Sequence, residues 1–175
     1  MKKSLLLLPF WGLLGCHKND PGPEQQLPAA TQTGANTLGC LVNGQPWTPQ
    51  GNNDSSNYTV SYDPSFRLGT LNIAAYRYAN SQAKQEVLGV FSDSLLPSTG
   101  RYKLHTSGHH GAGYVNGPRN CTCYSTTATT YCRGELVITR LDRSAGVIAG
   151  TFAFTLAQPG CDTIKVTQGR FDKKL

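Results

Sequence analysis

Charge is scarce in this chain, with only 15% of its 175 residues Asp, Glu, Lys or Arg. That is unlike a charge-rich disordered polymer. No apolar run approaches the roughly 20 residues that a membrane-crossing helix needs, and no heptad pattern is sustained, so polytopic membrane proteins and coiled coils are excluded. The length suits one domain and leaves no room for a multidomain machine. Catalytic signatures are missing as well, since no Ser sits in G-x-S-x-G and no H-E-x-x-H occurs. Acid pairs such as Asp162 and Asp172 read as turn and strand-end residues. The chain is therefore read as a non-enzyme that uses no cofactor.

What is present points outward from the cytosol. Six cysteines and a single Met fit an exported domain made in an oxidising compartment. Lys2 and Lys3 precede an apolar run over 5–14, which ends at Gly15 and Cys16 and turns polar at once: an export signal covering residues 1–15. Leu13-Leu14-Gly15-Cys16 resembles a bacterial lipobox, which implies that Cys16 becomes the lipidated N-terminus and that the partner it brings is the outer membrane. A diacylglycerol plus an amide-linked acyl chain, at about 0.8 kcal/mol per buried CH₂, would anchor it permanently. Cleavage leaves a net charge of +4. The basic residues Arg67, Arg77, Lys84, Arg101, Lys103, Arg119, Arg140 and Arg143 are scattered along the chain, which argues against nucleic acid as a partner. Residues 16–37 comprise that Cys and a Pro-, Gln- and Thr-rich stretch that reads as a flexible tether with a reach of roughly 25 Å. The folded domain is expected over 38–175.

Within it the pattern has period two, broken by turn residues every 8 to 12 positions. Large side chains alternate with small ones from Ile148 to Leu156, the clearest strand in the chain. A strand over 135–141 precedes it across Asp142 to Gly146, and one over 163–167 follows Pro159-Gly160, so the three should form an antiparallel meander. Asn43-Gly44 joins a hairpin of 40–42 and 45–48, with further strands at 58–62, 66–76, 86–91 and 100–105. About nine strands predict an all-β, antiparallel two-sheet sandwich, with a small β-barrel as the rival.

Cys40-Leu41-Val42-Asn43-Gly44 with Trp47, then Gly150-Thr151-Phe152-Ala153-Phe154 and Gly169-Arg170-Phe171-Asp172, resemble the uncharacterised lipoproteins common in Bacteroidota. The resemblance implies an exported all-β domain and brings no catalytic residues with it. Asp172 beside Arg170 reads as the cap of a final edge strand.

With Cys16 lipidated, five cysteines remain and at most two bridges form. A hairpin turning at Thr127-Ala128 would set Tyr124 opposite Tyr131 and Cys123 opposite Cys132, making 123–132 the preferred disulfide. Cys40 with Cys161 is the second expected pair, which would leave Cys121 free. Cys121 with Cys132 is the other possibility.

His105, His109 and His110 cluster in a Gly-rich stretch before Cys121-Thr122-Cys123, which raises a metal site as a candidate. No C-x₂-C spacing supports it, and a solvated loop between strands is the preferred reading. The polar run 52–57 lacks the Gly and closing Glu of an EF-hand and reads as a turn. Leu96-Pro97-Ser98-Thr99-Gly100 matches a sortase signal in letters only and reads as a turn into the strand from Arg101. Asp93-Ser94-Leu95 and Asp162-Thr163-Ile164 resemble the short acceptor tripeptide of Bacteroidota O-glycosylation. Trp47, the pair Tyr58 and Tyr62, and the pair Tyr76 and Tyr78 are the candidate ligand-binding aromatics, able to stack on sugar rings or anchor a partner. The expected role is a lipid-anchored envelope protein that binds a glycan or an envelope protein without catalysis. Its rivals are a structural component of the outer membrane and a metal protein built on the His105, His109 and His110 loop.

Overall fold

The alternating segments fold as strands because each buries one face and leaves the other to solvent. The computed structural model describes residues 22–51, 57–78, 84–94 and 99–175. The export signal, Cys16, the polar run 52–56 and Leu96-Pro97-Ser98 lie outside the described residues.

Among the described residues eleven strands form: β1 (Thr37–Val42), β2 (Gln45–Trp47), β3 (Tyr58–Asp63), β4 (Thr70–Arg77), β5 (Glu86–Ser92), β6 (Gly100–His105), β7 (His110–Asn116), β8 (Cys121–Tyr124), β9 (Tyr131–Asp142), β10 (Val147–Ala157) and β11 (Ile164–Lys174). They make two antiparallel sheets, one of six strands in the order β2-β1-β11-β10-β9-β6 and one of five in the order β3-β4-β5-β7-β8. The expected sandwich is therefore present, as two separate packed sheets and not a closed barrel. The β9-β10-β11 meander and the Asn43-Gly44 hairpin form as read from the sequence.

The inner face of the five-stranded sheet is ordered in rows. At one end stand Arg77 and Glu86, followed by Ala75, Leu88 and Tyr114, then Ile73, Val90 and Ala112. At the other end stand Tyr62, Leu71, Ser92 and His110. Two apolar rows are thus closed by a polar row at each end. They pack on Leu104, Leu136, Ile138, Ile148, Phe152, Phe154, Leu156, Val166 and Phe171 of the six-stranded sheet.

Residues 22–36, read from composition as part of a tether, belong to the fold as a strap lying on the outer face of the six-stranded sheet. Leu27 is buried. Pro28 lies so close over Gly39 that a Cβ there would come within 2.5 Å of its ring. The strap then wraps the Asp172 carboxylate, which accepts from Thr31 Oγ1 at 2.7 Å, Thr33 N at 2.9 Å, Gly34 N at 2.7 Å and Ala35 N at 3.1 Å. Gly34, with φ +79°, allows successive N–H groups to converge on one anion. Asp172 is 1% exposed. Burial raises its carboxyl pKa, but the hydrogen bonds from Thr31, Ala35, Thr33 and Gly34 outweigh that and hold it below the ordinary range. Asp172 is thus no edge cap, because β11 lies between β1 and β10.

The disulfide pattern also differs from expectation. Cys121 bonds Cys161, with Cα atoms 5.8 Å apart, and so links the start of β8 to the β10–β11 turn across the two sheets. Cys161 is consequently not joined to Cys40, which packs in the core beside its strand partner Trp47. Cys123 and Cys132 are buried thiols. The hairpin that would have paired them does not form: β8 pairs with β7 in one sheet, while β9 pairs with β10 and β6 in the other. Residues 125–130 carry the chain across between the sheets.

Candidate functional site

The aromatic candidates serve mainly as structure. Trp47 is fully buried and donates its indole N–H to Glu86 Oε2 at 3.0 Å. Arg77 pairs with the same carboxylate through Nε, donates to Pro46 O at 3.1 Å, and lies 5.5 Å from the Trp47 ring centroid. This cluster plugs one end of the sandwich. Beside it, burial pushes the Cys40 thiol up to about 12 against the opposing pull of Arg77, so Cys40 stays a thiol. Tyr58 and Tyr62 do share a strand face, but it is the inner one. Tyr58 is 5% exposed with Lys173 Nζ 5.0 Å from its ring. Tyr76 and Tyr78 are half-buried and pack edge-on, with centroids 6.1 Å apart.

The histidines part company. His110 starts β7, where its Nδ1 shares a 2.8 Å hydrogen bond with Ser92 Oγ and its ring meets Tyr102 at 5.2 Å. Burial lowers its pKa; Asp93 opposes this, while His109 and His105 add to it. His109 instead contacts Asp93 Oδ1 at 2.8 Å, a carboxylate also held by Arg67 at 2.9 Å. His105 ends β6 at the start of the same turn, with its side chain in the outward row of the six-stranded sheet. Among the described residues, no group of three or more His, Cys, Asp or Glu comes together as a metal-binding set. Ser92 is fully buried, and the acid next to it serves His109, so Ser92, His110 and Asp93 do not form a relay.

The open concave surface lies elsewhere, on the part of the six-stranded sheet's outer face that the strap leaves uncovered. Three adjoining hollows of about 550, 670 and 210 Å³ share Ala153 as floor. Strand register explains their lining. One outward row runs Lys103, Glu135, Ala153, and the next runs His105, Arg133, Thr155, Lys165. A third holds Arg101, Val137, Thr151 and Arg170. Small side chains, Thr151, Ala153 and Thr155, occupy the central strand β10, and longer ones, among them Arg133, Glu135, Lys165 and Arg170, stand on its neighbours, which makes a trough across the strands. Tyr131, half exposed at 51%, stands at one end of the largest hollow with Lys103, His105 and Arg133. Glu24 of the strap lies at the other side, 3.6 Å from Arg170.

Electrostatics divide this trough. Arg101 holds Glu135 at 2.6 Å, and Arg170 faces Glu24. Among the described residues, no carboxylate lies within salt-bridge distance of Lys103, Arg133 or Lys165, all of them exposed. These cations are 30 and 32 positions apart in sequence, so no linear patch betrays them. Only the β6-β9-β10-β11 pairing collects them. Tyr131 escaped for a related reason: the hairpin expected at 127–128 would have spent it on a cross-strand contact with Tyr124.

Comparison with protein-family models, with curated proteins and with solved structures gives no match.

Proposed function

We propose that the protein is a lipid-anchored, non-catalytic binding module of the cell envelope, and that its binding surface is the trough on the outer face of the six-stranded sheet. The observation that carries this reading is the juxtaposition at Ala153 of three confluent hollows with an exposed Tyr and basic side chains lacking carboxylate partners. A floor of Ala and Thr between longer walls admits an extended ligand, and an exposed aromatic beside cations is typical of surfaces that anchor one. The likeness of the Asn43-Gly44, Gly150 to Phe154 and Gly169 to Asp172 motifs to Bacteroidota lipoproteins agrees with an envelope location.

The strap changes how such a module would sit. With Cys16 as the anchor, only residues 17–21 separate it from the strap that begins at 22, and five residues span at most about 18 Å. The domain is then held near the outer membrane instead of ranging over a long leash. The test is Ala153→Trp, which fills the trough floor from an exposed position. Binding of envelope saccharides or proteins should be lost with the melting temperature unchanged; retained binding would overturn the assignment of this face.

A further inference from the structure

Resting on that assignment, the geometry points to a ligand class: we infer that the trough takes an acidic oligosaccharide, a run of sugar rings bearing carboxylates. One ring stacks on Tyr131, and carboxylates of neighbouring sugars pair with Arg133 and Lys165.

Charge complementarity carries the argument. Arg133 and Lys165 share one outward row on strands β9 and β11, flanking Thr155. Two strand spacings set them about 10 Å apart at the backbone, a disaccharide's length. Both are exposed, and the described residues supply neither with a carboxylate, so a ligand acid would complete pairs the fold leaves open. Arg133 offers a planar fork that matches a carboxylate with two parallel hydrogen bonds, and Lys165 a mobile point charge. Thr151, Thr155 and Thr167 add hydroxyls along the hollows, which suit sugar hydroxyls.

The same surface disfavours other polyanions. Glu135 and Glu24 line the hollows, so a nucleic acid, with a charge on every nucleotide, would meet carboxylates as well as cations. A flat anionic bilayer would touch the rim and leave the floor at Ala153 empty. A chain of rings with acids at intervals satisfies both the cations and the recess.

The experiment uses the full-length protein in neutral detergent, titrated calorimetrically with oligogalacturonate and with malto-oligosaccharide of equal length. Oligogalacturonate should bind, more weakly as salt rises. Arg133→Gln combined with Lys165→Gln should weaken it by about tenfold or more, Tyr131→Ala should also weaken it, and Lys84→Gln, exposed in the loop before β5 of the other sheet, should not. All substituted positions are exposed, and unchanged melting temperatures confirm the fold. Equal binding of the neutral series, lost in Ala153→Trp, would overturn the acidic ligand and keep the binding face. Absence of binding to either saccharide would overturn both, as would binding only to phosphatidylglycerol vesicles through Arg133 and Lys165. Full affinity in the double variant would remove the proposed pairing.

Discussion

The two ends of the six-stranded sheet's outer face are built differently. At the Asp172 end the chain covers its own surface: the strap donates hydrogen bonds to one buried carboxylate, and Arg140 reaches Gln32 O at 2.5 Å. At the far end, next to the row of Arg133 and Lys165, nothing in the described chain lies over the sheet. Rigidity there comes from the covalent link of Cys161 to Cys121, which ties the β10–β11 turn to the other sheet from behind. One end is stabilised by occupying its face, the other by a brace that leaves its face open. That separation of stability from surface is what a binding module requires, because residues facing a ligand then carry little of the fold.

Breaking the brace should have the largest effect. Replacing Cys121 and Cys161 by Ser opens a loop with a sequence separation of 40, for which the chain-entropy model gives about 4 kcal/mol. A denaturant titration should show a lower midpoint. The covered end should yield less: Asp172→Asn puts an amide where strap donors converge and should cost about 2–3 kcal/mol. Proteolysis of 22–36 should accelerate with it, while the open end keeps its ligand affinity. If removing the brace costs nothing, the two ends do not differ in the way described.

A pH series sharpens the same contrast. The Asp172 carboxyl is held below its unfolded value, so between the two values the unfolded chain binds the extra proton and stability rises with pH. This contribution is fully present above the ordinary carboxylate value of about 3.9 and is lost as pH falls through the folded one. The acid limb of the stability curve should therefore flatten in Asp172→Asn and not in the Cys121 and Cys161 variant. The smallest stability change belongs to Tyr131→Ala, which should stay within about 0.5 kcal/mol of wild type while binding weakens.

How legible this was from sequence varies with the physics involved. The meander and the first hairpin were readable because alternation and Asn-Gly act locally. The strand β7 was not, since His110 to Asn116 contains two glycines and reads as a loop. Those glycines are there because aromatic rings lie on the backbone: a Cβ at Gly111 would come 2.5 Å from the Phe91 ring, and one at Gly113 would come 2.4 Å from Tyr124. Seeing this as a strand depends on ladder partners 18 to 30 residues before and 5 to 11 after. The strap was hidden because its composition is that of a linker; the residues that hold it, above all Asp172 some 140 positions away, are distant in sequence. The trough is a register effect too, collecting Lys103, Arg133 and Lys165 that look scattered in the chain.

Two tyrosines of similar exposure permit the most direct test of the proposed face. Tyr131 lines the trough and is 51% exposed, while Tyr124 lies on the outer face of the other sheet and is 46% exposed. Hydroxyl-radical footprinting with and without oligogalacturonate should protect Tyr131 and leave Tyr124 unchanged. Protection of Tyr124 with Tyr131 still fully reactive would contradict the account.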